Sequence, residues 1–284
     1  MAFFHWRGKT GSDDGAQLPA PRTVERRRKE SKRARRSVKA LMRSAGAGKK
    51  SRRSIRDRVN LAPDPARTTE PVIQVYGARC MGWRGYLSLH TWIAVKPAAA
   101  KTFTIYEVTP EALSRRGCCV ATHKRPPDAY WYGAMPQLLA DKRGDEVGPL
   151  IERIEMAVKN YRYAGKYVMW PGPNSNTFIA HLARLVPELE IELPCHAIGK
   201  DYLGLRSIGR PASGSGFQVS LFGLLGFLVS RVEGFEINVL GLSCGINPFG
   251  LCVKLPMFGH WGVTRLIGGG AQEPVVPDAT EVAE

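Results

Sequence analysis

Between residues 72 and 108 the apolar positions fall into three runs rich in β-branched and aromatic side chains, VIQVYGARC (72–80), HTWIAVK (90–96) and TFTIYEV (102–108). Such runs predict strands. The second and third are joined by PAAAK, a hairpin-length connection. If Lys96 faces Thr102 or Lys101 across that hairpin, His90 stands opposite Val108 or Glu107, so a carboxylate lies beside the first residue of the strand. WYGAM (131–135) reads as a further strand. The period then changes. In EVGPLIERIEMAVKNY (146–161) Val147, Leu150, Ile151, Ile154, Ala157 and Val158 recur at helical spacing, and Phe178, Ile179, Leu182, Leu185 and Val186 share one face of a second helix.

The most apolar stretch, VSLFGLLGFLV (219–229), has 11 residues with two glycines and is followed by Arg231 and Glu233. A membrane span needs roughly 20 apolar residues, so this stretch predicts a buried core segment, with a membrane-dipping element as the alternative. Around it, from SGSGFQ to KLPMFGHWG, glycines alternate with apolar residues, without the phosphate-loop GxxxxGK[ST] or the dinucleotide GxGxxG. Such a pattern permits tight turns or close backbone packing, and SGSG (213–216) is expected as a loop that closes the core, with lining a pocket as the alternative.

Charge alters this picture in one place. The chain of 284 residues is 44% hydrophobic and carries +16, but residues 22–58 hold 17 Lys and Arg against Glu25, Glu30 and Asp57, which is 17 − 3 = +14. The rest is near neutral. Three prolines in APDPARTTEP (62–71) mark a boundary, so the expected organisation is a basic disordered arm and linker (1–70), a globular domain (71–266) and a tail poor in large apolar residues (267–284). The arm points to an anionic membrane surface as partner through residues 22–58. Nucleic acid is the weaker expectation, because few aromatics interleave with the arginines. The first residues lack the apolar run of a signal peptide, which leaves a cytoplasmic location or one peripheral to the inner membrane. The six cysteines show neither disulfide-framework density nor metal-ligand spacing, so reduced thiols, no metal and no cofactor are expected.

The candidate chemistry centres on WPGPNSNTF (170–178). Pro171 and Pro173 fix the backbone, Asn174 is a strong N-cap residue, and Ser175 falls in the first helical turn. Unpaired amides and the positive end of the helix dipole would stabilise an alkoxide there, yet capping alone also explains Asn and Ser at a helix start. Asn174 and Asn176 are candidate oxyanion donors, or residues that merely close the turn. Trp83 and Arg84 in GWRG, just before His90, are candidate substrate contacts; a structural salt bridge is the competing role for Arg84. Asp201 in IGKDYL reads as a turn cap, His181 and His196 have no partner at informative spacing, and His123 stands in a basic loop, THKRPP.

The order of parts, a His strand, a second strand, a helix and then a nucleophile-type residue at a helix N-terminus, resembles the circularly permuted NlpC-type branch of the papain-like superfamily. The likeness rests on NSNTF standing where those families show NC, a small polar residue and an aromatic, with Ser175 in place of the cysteine. More closely, the motifs IQVY, GWRG, HTWIAVK, WPGPNSNTF, AIGKDYL, SGSGFQ and EGFEINVLGL, spread over about 59–266, resemble an uncharacterised bacterial family of unknown function, numbered 3750, whose pattern also has serine at this position. The resemblance implies an α+β fold of permuted papain-like topology, an antiparallel sheet packed on helices. It further implies an envelope-associated hydrolase or acyltransferase acting on an amide or ester, with Ser175 as nucleophile, His90 as base and Glu107 orienting it. The alternative is a catalytically silent binding module of the same fold, attached to a membrane surface or nucleic acid by its arm. The substrate class stays open among small molecules, peptides and lipids.

Overall fold

The computed structural model describes residues 58–256 and 259–262, all within the unit Arg43–Glu284. The basic arm before residue 58 and the tail after 262 lie outside the described residues. Among the described residues the architecture is α+β, with two antiparallel sheets and three α-helices.

The first sheet is built from β1 (Val72–Arg79), β2 (Leu89–Lys96), β3 (Thr104–Val108), β4 (Val120–His123) and β5 (Gln137–Arg143), in the order β4-β3-β2-β1-β5. Both faces of β1 and β2 are covered, which is why their sequences are mostly apolar on both faces. On one face Ile73, Val75, Ile93 and Val95 meet Ile151 and Ile154 of α2 (Val147–Lys159) and Phe178, Ile179 and Leu182 of α3 (Ser175–Leu185). On the other, Val72, Tyr76, Trp92 and Ile105 form a second cluster with Phe103 and Ala62. A short α1 (Pro110–Arg116), capped by the Thr109 hydroxyl, links β3 to β4.

Ala62 belongs to a segment expected as linker. Residues from 58 onward are instead tied down, because the carboxylate of buried Asp128 accepts the amides of Leu61 at 2.8 Å and Ala62 at 3.2 Å. WYGAM is not a strand either. A single bridge between Trp131 and Ala134 closes a turn in which Tyr132 and Gly133 both have positive φ.

The glycine-rich C-terminal third forms a second sheet, and SGSG (213–216) is a loop within it, as expected. β6 (Ile208–Gly209), β7 (Phe217–Leu221), β8 (Leu225–Ser230), β9 (Gly234–Val239), β10 (Leu242–Asn247), β11 (Cys252–Leu255) and β12 (Gly259–Gly262) form one antiparallel meander. Its inner face is polar. Lys200 lies 2.7 Å from Glu236, Lys254 lies 2.8 Å from the other oxygen of the same carboxylate, and Asp201 accepts from Gln218, Asn238 and Ser243. The predicted buried segment VSLFGLLGFLV is the β7–β8 hairpin, with Leu221, Leu225, Phe227 and Val229 exposed on the outer face.

Candidate functional site

At the start of α3 the cap is Asn174, whose Oδ1 accepts the amides of Asn176 at 3.0 Å and Thr177 at 3.1 Å. The Thr177 hydroxyl accepts the Asn174 amide in return, completing a capping box. The remaining donors are directed into the fold. Asn174 Nδ2 donates to the carbonyls of Met169 and Ile198, and Asn176 Nδ2 to those of Leu89 at 3.0 Å and Ile198 at 2.8 Å. Asn176 Oδ1 accepts from the Thr91 hydroxyl. Both side-chain amides are therefore fully engaged within the fold, and no N–H remains on either for an oxyanion. Gly199 is required beside them, since a Cβ there would stand 2.5 Å from Asn174 Oδ1.

Ser175 is buried beside this knot, and its hydroxyl has no hydrogen-bond partner among the described residues. Capping and nucleophile position thus fall on different residues. Ser175→Ala is expected to change unfolding free energy by less than about 0.5 kcal/mol. Asn176→Ala, which leaves the Thr91 hydroxyl without its acceptor and the Leu89 carbonyl with only the longer bond from Ser88, is expected to cost about 2 kcal/mol. Urea denaturation of the two variants separates these outcomes.

His90 is held elsewhere. Its Nε2 lies 2.9 Å from Glu107 Oε2, while Glu107 Oε1 is 3.0 Å from His123 Nε2 and 3.8 Å from Arg125. The pairing that produces this differs from the expected one. Glu107 stands opposite Trp92, not opposite His90, and reaches the imidazole diagonally along the same face. Trp131 stacks on the His90 ring at 4.3 Å, and the Arg125 guanidinium lies over Trp92. Burial pushes the Glu107 carboxyl up, but hydrogen bonds from His123 and His90 and the charge of Arg125 outweigh it and hold the group far below the usual carboxylate range. With Nε2 directed at a carboxylate, the other ring nitrogen of His90 is the basic one.

The sheet separates these two sets. His90 projects from the face that carries Ala78 and Trp92, whereas α3 packs on the opposite face, against Thr91, Ile93 and Val95. Glu107 and His90 are brought together; Ser175 is not joined to them. His123 and Arg125 complete the cluster, although THKRPP reads as a basic loop. The signal was the two-residue alternation of Ala121 and His123 on β4, which puts both on the face of Glu107 and Ile105.

Trp83 and Arg84 lie in a 3-10 turn, Gly82–Tyr86, where the Arg84 guanidinium lies 5.4 Å from the Trp83 ring centroid and Trp83 is 67% exposed. Among the described residues Arg84 has no carboxylate partner, so the expected salt bridge is absent there. Gly85 in this motif is sterically required, because a Cβ would stand 2.3 Å from the Cys80 carbonyl oxygen.

A second surface stands out on the seven-stranded sheet. Register aligns Phe217, Val229, Phe235, Ile246 and Val253 in one row across five strands, Ile208, Val219, Phe227, Ile237 and Cys244 in the next, and Leu221, Leu225, Val239 and Leu242 in a third. None of these residues is charged, and most are exposed.

Residues 70–202 match the family described as Protein of unknown function (DUF3750). The matched segment contains the first sheet, the His90–Glu107 pair and the whole of α3, and ends at Tyr202, next to the buried Asp201. The seven-stranded sheet lies outside it. No curated protein and no solved structure matches the chain. Among the described residues no helix is long and apolar enough to cross a membrane, and no group of three or more His, Cys, Asp or Glu is placed to hold a metal ion.

Proposed function

We propose that the protein is a binding module that lies on an anionic lipid surface, with the outer face of the seven-stranded sheet against the bilayer. The observation that carries this reading is the set of three uncharged apolar rows on that face. Soluble monomers rarely expose an apolar patch beyond a few hundred Å². Burying one large apolar side chain contributes about 1.5–3 kcal/mol, so even partial insertion of several such residues offsets the loss of freedom on docking. The +14 of residues 22–58 adds attraction to anionic headgroups, about 1 kcal/mol for each basic residue close to the surface.

A hydrolase or acyltransferase built on Ser175 and His90 needs both in one cleft, and their positions on opposite sides of the first sheet favour the binding reading instead. The likeness to the permuted papain-like order supports a shared arrangement of parts and lends no nucleophile. Fluorophosphonate labelling of the full chain is expected to leave Ser175 unmodified; labelling lost in Ser175→Ala restores the enzyme reading.

The lipid reading is tested by co-sedimentation with vesicles of phosphatidylcholine containing phosphatidylserine. Wild-type protein is expected to bind, more weakly without phosphatidylserine, and Phe227→Asp/Ile237→Asp to lose at least tenfold in affinity with an unchanged melting temperature. If wild type stays in the supernatant while light scattering finds a dimer that this variant dissociates, a second copy covers the face and the lipid reading fails.

A further inference from the structure

Beside α3, on the side away from His90, opens a cavity of about 290 Å³ whose wall carries Arg162, Arg184, Arg206, Arg210 and His181. No Asp or Glu lines it. None of the four arginines forms an ion pair with a described residue. The carboxylates nearest in charge terms, Asp201 and Glu233, are already committed, Asp201 to Lys200, Gln218, Asn238 and Ser243, and Glu233 to Ser213 and Ser230. This concentration of positive charge, without an ion-pair partner among the described residues, occurs in a body that is otherwise near neutral.

The site is built, not merely basic. Arg184 is fixed by neutral acceptors: its Nε donates to the Arg210 carbonyl at 2.7 Å, and one Nη to the Lys200 carbonyl at 2.8 Å and to Gln218 Oε1 at 3.2 Å. Those bonds orient the guanidinium without neutralising it. Thr177, His181 and Arg184 follow one another at helical spacing on α3, so a rigid element carries that side of the wall. Arg162 lies over the Tyr163 ring at 5.0 Å, and Tyr163 meets Tyr202 edge to face. Burial, and then the charges of Arg184 and Arg162, lower the His181 imidazole to about 4, so the ring is neutral in the cavity as it stands.

We propose that this cavity binds the phosphate group of a small phosphorylated molecule. Planar guanidinium forks match the oxygens of a tetrahedral dianion, and several can share one phosphate because each presents more than one donor. The tyrosine rings and Leu203 give the carbon part of the ligand an apolar wall. The volume sits at the lower end of the range for small-molecule sites, about 300–1,000 Å³, which suits a compact phosphomonoester.

The source of that phosphate is either a soluble metabolite or a lipid headgroup, and calorimetry on the full chain at physiological salt distinguishes them. Glycerol 3-phosphate is expected to bind at one saturable site, glycerol to give no heat, and Arg162→Gln/Arg206→Gln to weaken binding at least tenfold. Both substituted residues are exposed, so this variant is expected to retain the wild-type melting temperature. Short-chain phosphatidic acid binding tenfold tighter than glycerol 3-phosphate identifies a lipid source; equal or weaker binding identifies a soluble one. Affinity unchanged in the double variant overturns the site, since it places the phosphate on charges elsewhere, the basic arm included. Malonate binding more tightly than glycerol 3-phosphate overturns the phosphate assignment.

Discussion

Glu236→Ala is expected to destabilise the protein by about 3–5 kcal/mol, the usual result of removing one partner from a buried ion network. Glu236 is 2% exposed, and its two carboxylate oxygens are divided between Lys200 and Lys254, neither of which has bulk solvent to turn to. Burial alone would raise the Glu236 carboxyl, but the two lysine charges hold it below its ordinary value. Reciprocally, burial lowers both ammonium groups, and the carboxylates of Asp201 and Glu236 for Lys200, and of Glu236 and Glu192 for Lys254, raise them above the usual range. Truncating the shared carboxylate therefore strands two buried cations. Lys200 retains Asp201 and Lys254 retains Glu192, which is why the expected loss is near that of one broken pair and not two. Urea unfolding gives the magnitude. Hydrogen exchange gives the location, with protection lost first in β8 to β11. A loss under 1 kcal/mol would mean that water enters the network and that the sheet is held by its backbone ladder alone.

That network also explains where the sequence was legible and where it misled. β1 and β2 were readable because both faces are buried and β-branched or aromatic residues (Val72, Ile73, Val75, Tyr76, Thr91, Trp92, Ile93, Val95) dominate them. The hairpin register was missed because the connection is longer than PAAAK: Phe103 turns its ring into the second cluster, and pairing begins at Thr104 opposite Val95. In the C-terminal third the period of two was present throughout, as in Phe217–Gln218–Val219–Ser220–Leu221 and Phe235–Glu236–Ile237–Asn238–Val239. It was hidden by the assumption that apolar residues face inward. Here the inner positions are Gln, Ser, Glu and Asn, and the outer ones are apolar.

The motif residues divide in the same way. Asn174, Asn176 and Thr177 of WPGPNSNTF bond to the carbonyls of Ile198 and Gly199 in AIGKDYL and to Leu89 and Thr91 around HTWIAVK. Ser213, Gln218, Glu233, Glu236 and Asn238 of SGSGFQ and EGFEINVLGL belong to the buried polar layer. Specific polar residues at fixed places in a sequence suggest chemistry on substrates, but most of these satisfy one another. The arginines of the cavity, by contrast, stand in no motif singled out from the sequence, because nothing in linear order reveals that residues 162, 184, 206 and 210 share one wall.

Glu107→Gln is expected to cost about 2–4 kcal/mol at neutral pH, because a neutral amide cannot accept from both imidazoles and leaves Arg125 without its carboxylate. The pH dependence supplies the sharper check. Glu107 is held below its unfolded value of about 4.3, so the unfolded chain binds its proton first as acid is added. The stability it contributes is complete above about pH 4.3 and is lost as pH falls from there toward the lower folded value. The variant lacks this group, so its stability falls less steeply over the same acid window, and the two curves converge as pH drops. Parallel curves through that window would show that Glu107 titrates in the folded protein as it does in the unfolded chain, and that the His90–Glu107–His123 contacts add nothing to its ionised form. Convergence, together with an altered proton-exchange signature for the His90 ring in Glu107→Gln, would establish that the carboxylate fixes the imidazole and chooses which of its nitrogens is basic.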